Sequence, residues 1–193
     1  MRLAILDRGH DFGSKLLFGV IRLASRMPVL DVIKLVRYRP EFYGRPMATV
    51  TQEAMRGPST WSVADRELMA AIVAKANECE FCTKGHAAVA ARACHDEARV
   101  TAVLSDLESA PIAEPLRATL RMLRKLAREH TVTADDMRAV LAAGASREQI
   151  EDALAVAFAF DTVTRLANTF GFSVPDSKAF QAGAKFLLAR GYR

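Results

Sequence analysis

Apolar residues recur at helical spacing in one segment of this sequence after another, and this pattern limits the fold more than any other feature. In the basic segment from Pro115 to Glu129, for example, Leu116, Leu120 and Leu123 share one face of a helix. The sequence contains no run of alternating apolar and polar residues and no Asn-Gly pair that would signal a hairpin. It therefore predicts an all-α fold.

Capping residues and helix breakers set the bounds of the predicted helices. Capping boxes, which begin helices, are predicted from the spacing of Ser62 with Asp65, Thr133 with Asp136, and Ser146 with Gln149. Residues 38–60 contain three prolines and two glycines, so we predict a loop there. The predicted helices cover residues 10–27, 29–37, 62–76, 79–93, 115–129, 134–143, 146–170 and 177–190.

The positive charge of the chain is confined to its N-terminal part. Residues 1–57 hold ten Lys or Arg and five Asp or Glu, whereas residues 58–193 hold 17 of each sign. We predict a basic N-terminal helical arm and loop over residues 1–57 and a helical domain with the cysteine pair over residues 58–193. The cations are neither dense nor interleaved with aromatic residues, so we expect no nucleic-acid partner.

The first predicted helix, residues 10–27, is amphipathic. Phe12, Leu16, Val20 and Leu23 are among the apolar residues at helical spacing on one of its faces. Such a face usually makes an internal or a subunit contact, and a helix lying on a membrane surface is the less favoured alternative.

The stretch from Asn77 to His86 contains the pattern C-x-x-C-x-x-x-H, formed by Cys79, Cys82 and His86. Positions i, i+3 and i+7 share one face of a helix, so two thiols and an imidazole can point at one spot. Asn77 and Glu78 are expected to interrupt the preceding helix, which places the cysteines at the start of the next one. Free backbone amides at a helix N-terminus stabilise a thiolate.

These residues allow a redox centre or a metal site. In the redox interpretation, a thiolate attacks a hydroperoxide to give an alcohol and a sulfenic acid, and the second thiol then closes a disulfide. Cysteines at i and i+3 lie roughly 5–6 Å apart, within disulfide range. In the metal interpretation the same three residues and one more ligand bind Zn²⁺. Cys94, His10, His95 and His130 show no paired spacing, which favours redox chemistry.

Three cysteines in a chain of this length do not indicate a secreted disulfide scaffold. Asp7 and Arg8 interrupt the short apolar start, so no signal peptide is expected. The apolar run from Leu16 to Ile21 is much too short to span a bilayer. We therefore expect a cytoplasmic protein without a membrane span.

Glu67 stands among small and apolar neighbours in the helix before the cysteines. Together, Glu67, Cys79, Cys82 and His86 form the pattern E-x11-C-x-x-C-x-x-x-H. Over roughly residues 28–171 the chain resembles the AhpD-like alkylhydroperoxidases of the carboxymuconolactone decarboxylase superfamily. The resemblance implies an AhpD-like helical bundle that assembles as a homo-oligomer, commonly a trimer or a hexamer.

The same resemblance implies roles for the four residues of the pattern. Cys82 would be the attacking thiol, Cys79 the resolving thiol, and Glu67 and His86 the proton relay that activates Cys82. The redox-active disulfide would serve in place of a cofactor, and a thiol reductant or a lipoyl-bearing adaptor protein would restore it. Phe81 stands where the well-characterised alkylhydroperoxidase has a further histidine, so the likeness concerns the thiol pair rather than the rate or the reductant.

The sequence thus predicts a thiol-dependent peroxidase of the alkylhydroperoxidase type that reduces small hydroperoxides. Two alternatives stay open at this point: a metal-binding or redox-sensing helical module with little turnover, and a lyase or isomerase that uses Glu67 and His86 without thiol chemistry. The decarboxylases of the superfamily lack the cysteine pair, which disfavours lactone decarboxylation.

Overall fold

A computed structural model describes residues 1–192, and its regular structure is helical throughout that range, as the sequence predicts. Eleven α-helices and one π-helical turn, Pro40–Gly44, make up the described chain. The α-helices are α1 (Ile5–Arg8), α2 (Phe12–Ser25), α3 (Asp31–Tyr38), α4 (Arg45–Arg56), α5 (Val63–Ala76), α6 (Glu80–Cys94), α7 (Glu97–Ser105), α8 (Glu114–Glu129), α9 (Ala134–Ala142), α10 (Arg147–Phe170) and α11 (Ser177–Arg190).

Helix α5 is the centre of the bundle. Residues 66–74 are all buried, because α5 packs against α6, α8 and α10 on different sides. A helix surrounded by protein must be apolar or fully paired around its circumference. Leu68, Met69, Ile72 and Val73 meet the first condition and lie in the main core, as predicted. Glu67 meets the second.

The predicted capping boxes are only partly confirmed. Ser146 with Gln149, and Thr133 with Asp136, form complete boxes in which each side chain binds the backbone of the other residue. Ser62 accepts the amide hydrogen bond of Asp65, but the Asp65 carboxylate accepts from the Ser62 hydroxyl. The predicted hydrogen bond from the Ser62 backbone N–H to the Asp65 carboxylate is therefore wrong.

The predicted loop over residues 38–60 is wrong, because the structure contains the π-helical turn and α4 there. Pro46 occupies the first turn of α4, where its missing N–H has no helical partner to lose. The proline thus marks the start of the helix. Met55 near its end is fully buried in the main core. The boundary between residues 57 and 58 stays a prediction, although α4 packs closely against α10.

Helix α2 does not make the internal contact that its apolar face is expected to make. Phe12, Leu16, Val20 and Leu23 are exposed, and the opposite face of the helix, with Phe18, is buried. Within residues 1–192 no helix combines the length and the apolar character that crossing a bilayer requires.

Candidate active site

The turn between α5 and α6 is anchored by α10. The Asn77 side-chain amide donates to Asp161 Oδ1 at 2.7 Å and to Thr164 Oγ1 at 3.0 Å. The Asn168 side chain donates to the Asn77 carbonyl oxygen at 2.8 Å. Glu78 then adopts a left-handed conformation, with φ of 54°, which turns the chain into α6. The start of the cysteine helix is thus held by residues more than 80 positions away.

Cys79 is the N-cap of α6, so its side chain lies beside the first free amides of the helix. A hydrogen bond from the Cys82 thiol lowers the pKa of Cys79 to about 7, and the backbone N–H groups of Cys82 and Phe81 contribute in the same direction against the effect of burial. Donation to Cys79, together with burial, raises the pKa of Cys82 well above its usual value. When the pair loses its first proton, near neutral pH, the negative charge therefore lies mainly on Cys79.

The surroundings of the thiols are apolar. Cys79 and Cys82 are 2 % and 3 % exposed and lie in a small cluster separate from the main core. Phe81 lies half-buried beside them, with its ring edge-on to Phe172 at 5.4 Å and tilted against Phe180 at 5.8 Å. Both thiols are therefore largely shielded from solvent. The remaining members of the cluster are Ala74, Val163 and Ala167.

His86 lies one helical turn beyond Cys82 and contacts Glu67 of α5. Its Nδ1 is 2.7 Å from Glu67 Oε2, and its ring packs edge-on against Phe160 at a centroid distance of 4.4 Å. A carboxylate beside Nδ1 holds the proton on that nitrogen, which leaves Nε2 to exchange protons. The contact between Glu67 and His86 expected from the resemblance is present in the structure.

Two residues that the sequence analysis missed complete the carboxylate site. Glu67 Oε1 accepts hydrogen bonds from Arg56 Nη2 at 2.7 Å and from the Tyr192 hydroxyl at 2.8 Å. The Tyr192 backbone N–H donates to Gln52 Oε1 at 2.7 Å, which ties the end of the chain to α4. No local spacing signals these contacts, because 125 residues separate Tyr192 from Glu67.

Glu67 is ionised although it is fully buried. Burial alone raises the pKa of a carboxyl, but the hydrogen bond and charge of His86 and those of Arg56 outweigh it, so the pKa of Glu67 lies below its usual value. Burial and the Glu67 charge raise the pKa of Tyr192 well above its usual value. Tyr192 therefore stays a neutral hydrogen-bond donor to the carboxylate.

Replacing Tyr192 with phenylalanine tests its contribution to this site. The change removes one of two donors to Glu67 Oε1, and we expect the free energy of unfolding to fall by about 1–2 kcal/mol in urea denaturation. Tyr43→Phe is the matched control, since the Tyr43 ring packs against Phe170, and it should stay within about 0.5 kcal/mol of the wild type. Equal losses in both variants would contradict a specific role for the Tyr192 hydroxyl.

The structure thus arranges the four predicted residues as two adjoining pairs on α5 and α6. Cys79 and Cys82 form the thiol pair, while Glu67 and His86 form the proton-transfer pair with Arg56 behind it. Among residues 1–192, no three or more His, Cys, Asp or Glu side chains are grouped as metal ligands. A surface depression of about 740 Å³ has Arg56 in its lining, whereas a smaller one of about 430 Å³ lies between α8 and α9.

Comparisons with known proteins concern the family of one segment of the chain and the fold. Residues 40–125 match the profile of the carboxymuconolactone decarboxylase family. An uncharacterised peroxidase-related protein from Silicibacter sp. TM1040 superposes with a TM-score of 0.73 at 20 % identity over 89 % of this chain and 88 % of that one. The AhpD-core, peroxidase-related protein from Ralstonia eutropha JMP134 has the same TM-score at 21 % identity over 91 % and 92 %.

The debrominase Bmp8 shares the fold at a TM-score of 0.65, with 13 % identity over 92 % of this chain and 94 % of that one. No curated protein matches the sequence. At these identities the solved structures show only the fold. The profile match relates residues 40–125 to the carboxymuconolactone decarboxylase family. Together they confirm the predicted AhpD-like helical fold, and the match of residues 40–125 agrees with the predicted resemblance to the carboxymuconolactone decarboxylase family.

Proposed function

We propose that this protein is a thiol-dependent peroxidase that reduces organic hydroperoxides through a Cys79–Cys82 redox pair. The observation that carries the proposal is the thiol pair itself, in which Cys79 at the start of α6 and Cys82 one turn further on lie buried in one apolar cluster. A thiol with a pKa near 7 is substantially ionised at neutral pH, and the thiolate is the form that attacks peroxides.

The proposed sequence begins with Cys79 as the thiolate and its proton held on His86 Nε2. A proton then moves from Cys82 to Cys79. The Cys82 thiolate then attacks the terminal oxygen of the hydroperoxide, the O–O bond breaks, and Cys82 becomes a sulfenic acid. The alkoxide that leaves takes a proton from His86 Nε2 and becomes the alcohol. Glu67 stabilises the protonated imidazole and holds its orientation.

In the second half of the cycle Cys79 gives the proton that it received from Cys82 to His86 Nε2 and, as a thiolate, attacks the sulfenic sulfur of Cys82. The S–O bond breaks, the departing hydroxide takes that proton from His86 and leaves as water, and the disulfide forms. Two thiols and one hydroperoxide thus yield one disulfide, one alcohol and one water. An external dithiol then reduces the disulfide, and a lipoyl-bearing adaptor protein is the partner that we propose from the resemblance.

The apolar surroundings of the thiols support an organic substrate. The carbon-rich walls formed by Phe81, Phe172 and Val163 favour an alkyl chain over water and hydrogen peroxide. Because a cycling dithiol needs a reducing compartment, we place the protein in the cytoplasm. We further propose that it acts as a homo-oligomer, a trimer or a hexamer.

The ionisation of Cys79 can be measured before any turnover. In the reduced protein, iodoacetamide should modify Cys79 first, and the rate should rise with pH around a midpoint near 7 because only the thiolate reacts. Cys82→Ala removes the largest contribution to the lowered pKa, so the midpoint should move upward. Peptide mass spectrometry identifies the modified residue, and first modification of Cys82 in the wild type would contradict the charge distribution.

The function itself is tested by adding an alkyl hydroperoxide to the reduced protein and measuring the mass of the protein afterwards by mass spectrometry. We expect one equivalent of peroxide to be consumed without added reductant, with a mass loss of two hydrogens localised to the peptide of Cys79 and Cys82. Turnover should follow when a dihydrolipoyl compound is supplied. Consumption by a Cys79→Ser/Cys82→Ser protein at the wild-type rate would overturn the proposal and favour chemistry that uses only Glu67 and His86.

A further inference from the structure

The outer face of α2 is an uncovered apolar surface. Phe12, Leu16, Val20 and Leu23 are 83 %, 60 %, 55 % and 83 % exposed, and they follow one another along a single side of the helix. A side chain added at Gly19, on the same side, would meet no atom within 4 Å. The described chain therefore presents this side of α2 fully to its surroundings.

The opposite side of α2 is attached to the protein. Phe18 is 5 % exposed and packs edge-on against the His10 ring at a centroid distance of 4.8 Å, and Ser14 is buried near it. The Asp11 side chain caps the helix by accepting the Ser14 amide hydrogen bond. The buried side of α2 thus faces the arm, and the apolar side with the four exposed residues faces outward.

The side chains of α2 and of its C-terminal cap carry only positive charge, and the neighbouring acid, Asp11, caps the helix. Residues 12–27 contain Lys15, Arg22 and Arg26 and no acidic residue. At 100° of rotation per residue these three cations fall together along one edge of the apolar face. Residues 1–57 carry a net charge of +5, whereas residues 58–193 carry none. The partner of this face must therefore offer apolar material bordered by negative charge.

We propose that the outer face of α2 binds the surface of an anionic lipid bilayer. A 14-residue helix is too short to span the hydrocarbon, but it can lie in the interface with its apolar residues among the acyl chains and its cations at the headgroups. A second copy of the chain fits less well. A two-fold contact between these faces would bring the same cations together, and the remainder of the chain has no excess of acid to balance them.

The test uses the full-length protein and sedimentation with vesicles. We expect binding to vesicles of phosphatidylglycerol and phosphatidylcholine, at least about tenfold stronger than to phosphatidylcholine alone, and weakened by added salt. Leu16→Ser/Leu23→Ser should reduce the binding by about tenfold or more. The change removes two leucines that are exposed in the free protein and would be buried in the bilayer. Lys15→Glu/Arg22→Glu should remove the preference for anionic vesicles.

Matched controls carry the same changes elsewhere on the surface. Phe158→Ser/Phe186→Ser replaces two exposed apolar residues of α10 and α11, and Lys178→Glu/Lys185→Glu reverses two exposed charges of α11. Both should bind vesicles as the wild type does, and circular dichroism checks that every variant keeps its helices. Absence of binding to anionic vesicles, or equal losses in the control variants, would overturn the proposal. A fall in solution mass for Leu16→Ser/Leu23→Ser without vesicle binding would assign the face to a second copy instead.

Discussion

Cys82→Ser is expected to lower the rate of hydroperoxide reduction by at least about 10³-fold, down to the uncatalysed background. A serine hydroxyl is not ionised at neutral pH and does not form a sulfenic acid, so neither half of the proposed cycle can proceed. Stopped-flow measurement of peroxide consumption by the reduced protein gives the rate directly. One equivalent of peroxide consumed at the wild-type rate by this variant would rule out attack by Cys82.

Two companion variants make this result specific. Cys94→Ser is the matched control, because Cys94 is also on α6 but lies at its C-terminal end, and it should keep the wild-type rate. Cys79→Ser should consume one equivalent slowly and stop with a sulfenic acid on Cys82, which dimedone traps for mass spectrometry. A sulfenic acid on Cys79 in the Cys82→Ser protein would assign the attack to Cys79, the thiol that carries the resting charge.

Glu67→Gln is expected to lower both the activity and the stability. Without the carboxylate, His86 loses the group that fixes its proton on Nδ1 and stabilises its charge, and we expect a loss of about 10²-fold in rate. Arg56 also loses its partner while its side chain stays mostly buried, which costs about 3–5 kcal/mol in the free energy of unfolding. The peroxide assay and urea denaturation measure the two effects.

The stability effect of Glu67→Gln should depend on pH in a defined direction. The pKa of Glu67 in the folded protein lies below the usual value of 4.5, so the ionised carboxylate favours the folded state. The advantage of the wild type is full above about pH 4.5 and is lost as the pH falls through the folded-state pKa. Glu80→Gln is the matched control. Glu80 forms an exposed ion pair with Lys84, and its loss should change the free energy of unfolding by no more than about 1 kcal/mol. An advantage that persists unchanged to low pH would contradict an ionised Glu67.

Much of the helical architecture follows from the sequence, because helix periodicity and capping act within a few residues. The bounds predicted for α5, α6, α8 and α10 agree with the structure to within about two residues. The error at residues 38–60 has a local cause, since prolines and glycines there signal interruptions, while Pro46 in fact begins α4. Helices α1 and α7 were not predicted, because each is short and has little periodicity to detect.

The candidate site divides in the same way. The sequence alone determined that two thiols and an imidazole share a face of one helix, and that an acid lies out of place in the helix before it, because these are relations within one or two turns. Only the tertiary structure decided that both thiols lie in a buried apolar cluster, that Arg56 and Tyr192 hold the Glu67 carboxylate, and that the apolar side of α2 is uncovered. Those features depend on contacts between segments that are distant in the sequence, and local residue spacing does not predict such contacts.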